Sequence, residues 1–426
     1  MVGCWLRIYC KDNFFVYICG IISALFAEIR IRLLIIFFYM ITSKAIEQFQ
    51  TIHTPFYYYD MELLNQTLKT YTDLTKKYGY HAHYALKANA EPRIVETIKN
   101  YGLGADCVSG NEVALAIKAG FSPDKIVYAG VGKSDKEIKT ALKAGIFSFN
   151  CESVPEIKVI NDFAKGMGKV AKIALRINPD IDAHTHKYIS TGLKENKFGI
   201  SPWMFPAMKE LLAECKNVEL IGLHFHVGSQ ILDMSVFVTV CRRVLELQKW
   251  FTDNGMEIKN LNLGGGIGVD YADPAGHPIA DFETYFKIIN ENLVVAPGQN
   301  VHFEPGRSIV GQCGHLITRV LYVKVGQRKK FAILDAGMND LIRPALYQAH
   351  HAIENLTSTS KRQMRYDVVG PVCESSDMFG VNIKLPTTQR GDLIAIHTAG
   401  AYGQVMAMRY NQRDLAKAYY SDQLLG

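Results

Sequence analysis

From residue 83 onward, short runs of β-branched and aromatic residues alternate with longer amphipathic stretches, the pattern of parallel strand–helix units. Eight strands are predicted: His83 to Lys87, Gly104 to Val108, Ile126 to Gly130, Phe147 to Cys151, Lys172 to Asn178, Leu220 to His226, Leu261 to Gly264 and Val301 to Glu304. Helical patterns such as Asn111 to Ala119 and Ser134 to Ala144 lie between them, each stopped by a glycine, Gly120 or Gly145, where a left-handed cap is needed. Eight such units over residues 83–304 fit the roughly 250 residues of a closed (β/α)8 TIM barrel, with a doubly wound open sheet as the alternative. After Arg307 the pattern changes to strand-like runs, Ile317 to Val325, Phe331 to Leu334, Tyr366 to Val369 and Leu393 to His397, which predict an antiparallel β domain, barrel or sandwich. Thr54 to Tyr59 is also β-prone and is expected to join that domain.

The α/β chain therefore divides into an apolar extension (1–42), an N-terminal strand segment (43–60), the barrel (61–306) and the C-terminal β domain (307–426). In the extension, apolar runs from Asn13 to Ala27 and Leu33 to Ile41 flank the charged stretch Glu28-Ile29-Arg30-Ile31-Arg32. Neither run alone spans a bilayer, and two runs without a small-residue cleavage pattern do not make a signal peptide. A membrane anchor, an unusual targeting segment, or upstream sequence read in frame before a start at Met40 are the three readings. The last is the expectation, because Met40-Ile41-Thr42-Ser43 leads directly into an ordinary globular domain.

Composition narrows the partners. The net charge of +6 is spread along 426 residues with no run of five or more Lys or Arg, so there is no tract of the kind that grips nucleic acid, and a small-molecule ligand is expected. Nine scattered cysteines without a C-x-x-C pair fit a reducing cytoplasm.

Barrel sites are assembled at the C-terminal ends of the strands. Strand one ends in Tyr84-Ala85-Leu86-Lys87-Ala88-Asn89, among small and apolar residues where desolvation favours a neutral, nucleophilic amine; alone, a lysine reaching solvent is the plainer reading. Strand seven runs into Gly264-Gly265-Gly266-Ile267-Gly268, where backbone N–H groups can approach a phosphate, or simply form a tight turn. Strand eight ends in Glu304-Pro305-Gly306-Arg307, either a self-contained ion pair or a carboxylate that keeps a pyridine nitrogen protonated. The pair His224-Phe225-His226 invites a metal, but the other strand ends offer few further His or carboxylate ligands, so no metal is expected. His226 stacking on a flat ring, Ser229 donating to a phosphate and His224 as a buried structural residue form the alternative.

Together, Tyr84 to Asn89, His226 to Gln230, Gly264 to Gly268 and Glu304 to Arg307 resemble, in the same order, the barrel-type pyridoxal-phosphate decarboxylases that share their fold with alanine racemase. The resemblance covers residues 50 to 420. It implies pyridoxal 5'-phosphate as cofactor, Lys87 as the lysine joined to its aldehyde, and a homodimer whose β domains complete shared sites. Three C-terminal motifs, Met338 to Tyr347, Gly370 to Asp377 and Ala399 to Gly403, resemble the diaminopimelate-specific branch; ornithine-specific relatives carry aspartate where Glu374 stands. By that likeness Arg307, Arg343 and Tyr347 hold the substrate's distal carboxylate, Glu374 its distal ammonium, Cys373 donates a proton, and Tyr402 sits at the cofactor. Arg307 could equally meet the cofactor phosphate. The implied reaction is decarboxylation of meso-2,6-diaminopimelate to L-lysine and carbon dioxide, in the cytoplasm. Racemases of this fold pair the ring nitrogen with arginine, and Glu304 points the other way.

Overall fold

The computed structural model describes residues 41–181 and 197–425; the apolar runs of the extension, Met40, and Cys4, Cys10 and Cys19 lie outside the described residues. Strand β1 (Phe56–Tyr59) leads into a helix, Met61–Tyr78. Asp60 caps that helix by accepting from the N–H groups of Glu62 and Leu63, and Gly79 closes it at φ 70°. Its buried face, Leu64, Leu68 and Tyr71, recurs at three- and four-residue spacing, and Tyr71 meets Phe282 edge-on at 4.9 Å.

Eight parallel strands follow: β2 (His81–Ala85), β3 (Gly104–Cys107), β4 (Ile126–Tyr128), β5 (Ser148–Cys151), β6 (Ala171–Arg176), β7 (Val218–His224), β8 (Asn260–Asn262) and β9 (Asn300–Phe303). They close into a barrel, with β9 pairing back onto β2. Strands β3, β4 and β5 are buried along their whole length, as strands covered on both faces must be. Most of these strands stop short of the predicted ends. Lys87, Gly130 and His226 fall beyond the ladder, where the chain turns away to form the barrel mouth. Gly145 ends helix Asp135–Ala144 in the left-handed conformation, φ 69°.

The second unit comprises β10 (Gly314–Val325), β11 (Lys330–Leu334), β12 (Ile353–Asn355), β13 (Gln363–Val369), β14 (Met378–Pro386), β15 (Leu393–Ile396) and β16 (Lys417–Tyr420). Its sheet runs β12-β15-β10-β11-β13-β14, with β1 inserted between β10 and β16. Pairing is mainly antiparallel, but β11–β13 and β1–β16 are parallel. Strands β12, β14 and β16 had no counterpart in the hydrophobic pattern, since β12 and β16 are short and β14 buries few of its residues and does so without alternation. Strand β1 joins the units. Its alternation sends Tyr57 and Tyr59 into the main core and Phe56 and Tyr58 into a smaller one with Phe49 and Ile317. Full burial of each such ring contributes roughly 1.5–3 kcal/mol, which is why so short a strand can fix the arrangement. Among the described residues no helix is long and apolar enough to cross a membrane.

Candidate active site

At the C-terminal mouth of the barrel a cavity of about 320 Å³ lies between the two units. Lys87, on the short turn Leu86–Ala88 after β2, opens into it. That turn is clamped from the β domain, where Tyr402 N–H donates to the Ala88 carbonyl, and at its start, where Ala85 N–H donates to the carbonyl of Pro305, just beyond β9. Tyr402 takes φ 56° to do so. Gly306 presses on the same turn, for a side chain there would meet Ala85 and Ala88 at 3.1 Å.

Lys87 Nζ lies 3.5 Å from Asp106 Oδ2, at the end of β3. Burial alone would lower the Lys87 ammonium, but Asp106, then Tyr402 and Glu304, outweigh it and hold its pKa above the ordinary value. Asp106, a buried neighbour not visible from the strand end alone, thus opposes the neutral amine that desolvation by itself would favour. Asp106 is lifted to about 8 by burial and then by the Glu304 charge, with Lys87 partly offsetting them. It can support the ammonium only while ionised, and the close approach favours the ion pair.

Glu304 is the floor of the cavity. Its Oε1 accepts from Asn150 at 3.1 Å and Asn262 at 2.7 Å, and its Oε2 lies 2.9 Å from His224 Nε2. Burial would raise this carboxyl; His224, by charge and hydrogen bond, and then Lys87 overcome that and hold it well below the usual carboxylate range. His224 thus serves the carboxylate rather than merely filling the core, and Asn150 and Asn262 were missed. Asparagines at strand ends were the available signal. Asn262 also accepts from Gly264 N–H, tying the glycine turn to the acid.

Gly264, Gly265 and Gly266 follow β8. A side chain at Gly265 would strike the Glu304 carbonyl at 2.3 Å, so the backbone can approach this closely only without one. Gly265 N–H donates to His226 Nδ1 at 3.3 Å, and burial holds the His226 ring far below its ordinary pKa, neutral. Arg307 donates to Ser229 Oγ through Nε and Nη2, at 3.2 and 3.1 Å, and to Tyr271 at 2.6 Å. Its guanidinium also lies over the Tyr402 ring, at 4.9 Å.

The β domain contributes Arg343 and Tyr347 from helix Arg343–Tyr347, and Arg343 donates to His351. Lys87, His226, Ser229, Glu304, Arg307, Arg343, Tyr347 and Tyr402 therefore share one cavity wall. Cys373 and Glu374 do not reach it within one chain: both are exposed, with Cys373 N–H donating to Asn411 and Glu374 accepting from Tyr410.

Residues 64–311 match the family described as pyridoxal-dependent decarboxylase, pyridoxal binding domain. The chain is 54% identical over 381 residues to diaminopimelate decarboxylase of Bacteroides thetaiotaomicron, covering 89% of this chain and 98% of that one. It is 45% identical to the enzyme of that name from Helicobacter pylori, over 86% of this chain and 90% of the relative. A crystal structure of diaminopimelate decarboxylase from Helicobacter pylori complexed with L-lysine superposes with a TM-score of 0.81 at 43% identity, covering 88% of this chain and 93% of that one.

Proposed function

The chain belongs to the pyridoxal-dependent decarboxylases, in the diaminopimelate branch, and from that premise we propose the roles its residues play in that reaction. It decarboxylates meso-2,6-diaminopimelate to L-lysine and carbon dioxide with pyridoxal 5'-phosphate as cofactor, the last step of lysine biosynthesis. The carrying observation is that one cavity holds a half-buried lysine, a buried ionised glutamate and two buried arginines that, among the described residues, have no carboxylate partner. Arg176 in the same wall is paired, 2.7 Å from Glu152, whereas Arg307 and Arg343 are held by the neutral groups Ser229, Tyr271 and His351. Uncompensated buried cations call for anions from outside the chain, and a phosphorylated cofactor and a dicarboxylate substrate supply them. The residues fit the cofactor.

When bound, pyridoxal phosphate supplies an electron-withdrawing ring that takes up the electron pair left behind as the α-carboxylate departs. Lys87, whose amine opens into the cavity, would hold the cofactor through its aldehyde carbon. Glu304 would accept a hydrogen bond from the protonated ring nitrogen, and its three polar partners keep it ionised for that purpose. Ser229, beside the turn Gly264 to Gly266 whose first two N–H groups are given to Asn262 and His226, would hold the phosphate. Arg307, bonded to Ser229 and stacked on Tyr402, belongs to that end, which leaves Arg343 and Tyr347 for the distal carboxylate. His226 presents a neutral ring face to the cofactor.

Cys373 and Glu374 act in the cavity of a second copy, a reading supported by their exposure and by their lying outside the cavity wall of their own chain. The Cys373 thiol gives its proton to Cα, and Glu374 takes the distal ammonium. We also place the protein in the cytoplasm, in keeping with the unpaired Cys107, Cys151, Cys215, Cys241 and Cys313. On this reading residues 61–306 are the cofactor barrel, and 307–426 with the 43–60 segment form the second domain.

Release of carbon dioxide and lysine from meso-diaminopimelate, with and without added pyridoxal phosphate and beside ornithine and arginine, tests the assignment. Cofactor-dependent lysine formation is expected, and turnover of ornithine or arginine alone would overturn the substrate. Mixing Lys87→Ala with Cys373→Ala protein restores activity if sites are shared, and restores none if each chain is self-sufficient.

A further inference from the structure

The cation assigned above to the distal carboxylate is anchored by a residue outside every motif of the sequence. Arg343 Nη1 lies 2.9 Å from His351 Nε2, and the other ring nitrogen of His351 lies 2.8 Å from the backbone carbonyl of His397. A carbonyl only accepts, so Nδ1 carries the ring proton; a guanidinium only donates, so Nε2 keeps its lone pair. His351 is thereby fixed as a neutral imidazole in one tautomer. Burial and then the Arg343 charge push its pKa down to about 3, in keeping with that state.

The ring has little freedom. It is 1% exposed and packs edge-on against Tyr271, centroids 5.1 Å apart. Tyr271 carries the Arg343 guanidinium on its face at 4.7 Å, and its carbonyl accepts the N–H of Ala352, the residue after His351.

The chemistry of this anchor matters more than its presence. A carboxylate there would hold the arginine as Glu152 holds Arg176, and would cancel its charge. An imidazole lone pair accepts one N–H and leaves the full positive charge directed into the cavity. We infer that His351 is a specificity-determining positioning residue: it fixes Arg343 without neutralising it, so that the guanidinium selects substrates bearing a carboxylate at the end remote from the reacting carbon. Tyr271 is the second neutral support. This rests on the reading of Arg343 given above.

The test uses holoenzyme carrying His351→Gln, His351→Glu or Arg343→Met. KM and kcat are measured for meso-diaminopimelate, with dissociation constants for L-lysine, which keeps a distal carboxylate, and pentane-1,5-diamine, which lacks one. His351→Gln retains a neutral acceptor and is expected to stay within about threefold of wild type. The isosteric His351→Glu is expected to raise KM and the lysine dissociation constant about 10- to 100-fold, with kcat within a few-fold and diamine binding not weakened. An architectural fault, including loss of the donation to the His397 carbonyl that glutamate cannot make, would instead lower kcat and weaken diamine binding along with lysine binding, so the split between the two ligands identifies the charge effect. Equal constants for Gln and Glu, while Arg343→Met impairs lysine binding, overturn the inference; unchanged lysine binding in Arg343→Met overturns the role of Arg343 instead. If either long side chain prevents cofactor retention, His351→Asn and His351→Asp give a second pair with the same expected split.

Discussion

The two mouths of the barrel both bury polar side chains, and they do so in opposite ways. At the C-terminal mouth Asp106, Glu304, Arg307 and Arg343 are buried ionisable groups around the half-buried Lys87, and among the described residues both arginines lack a carboxylate partner. At the N-terminal mouth the buried groups are imidazoles. His83 Nδ1 faces the Lys125 carbonyl at 2.9 Å, its Nε2 meets His302 Nδ1 at 3.0 Å, and the His302 ring stacks on His81 with centroids 4.9 Å apart. Burial pushes the His83 and His302 rings below their ordinary pKa, His302 to about 2, so this end is neutral. Neutral stacked rings close a barrel cheaply; isolated charges are kept only where a ligand completes them. The polarity of the burial, not its depth, separates the working end from the structural one.

The largest effect is expected from the lysine. Lys87→Ala should lower kcat on the order of 10³-fold or more, since among the described residues no other amine lines the cavity, while His302→Gln at the opposite mouth should change kcat less than about twofold. Steady-state turnover of both variants at saturating cofactor checks the contrast, and comparable losses would erase it. Glu304→Gln comes next. The amide is isosteric but cannot hold a positive ring nitrogen, so kcat should fall about 10²- to 10³-fold while the cofactor is still retained. Full activity in that variant would remove Glu304 from the chemistry.

The two ends were not equally legible in the sequence. Lys87, Glu304 and the glycine turn stood out because each combines an unusual residue with a strand end, and periodicity alone located all eight strands. Asp106 and Asn262 escaped because a buried polar residue in a short strand looks like any other until the closed barrel brings strands β3, β8 and β9 to one point. His351 escaped for a different reason: its role depends on two hydrogen bonds to groups 8 and 46 residues away, which no local pattern encodes. The β domain reversed the usual order, with strands that were hard to see and motifs that were easy to place.

A smaller effect sharpens the picture of the charged mouth. Asp106→Asn removes the carboxylate that holds up the Lys87 pKa, so in cofactor-free protein the amine should lose its proton at lower pH. Attachment of pyridoxal phosphate at neutral pH should then be roughly tenfold faster, followed by absorbance, with its pH midpoint moved down. An unmoved midpoint would show that Asp106 does not govern the lysine.

The smallest effect lies at the neutral mouth and appears only with acid. The ordinary histidine value is 6.5, and folding pushes His302 down to about 2, with burial as the main cause and the His83 and His81 charges next. Below pH 6.5 the unfolded chain therefore binds a proton that the folded chain refuses. Stability from this group is fully present above 6.5 and is lost as pH falls through it, at up to about 1.4 kcal/mol per pH unit. Replacing His302 by glutamine removes one such proton, so the unfolding free energy in urea should decline less steeply between pH 6.5 and 5 than in wild type, by about 2 kcal/mol over that interval. Identical slopes would mean that the stacked rings accept the proton after all, and that the N-terminal mouth is not held neutral by its burial.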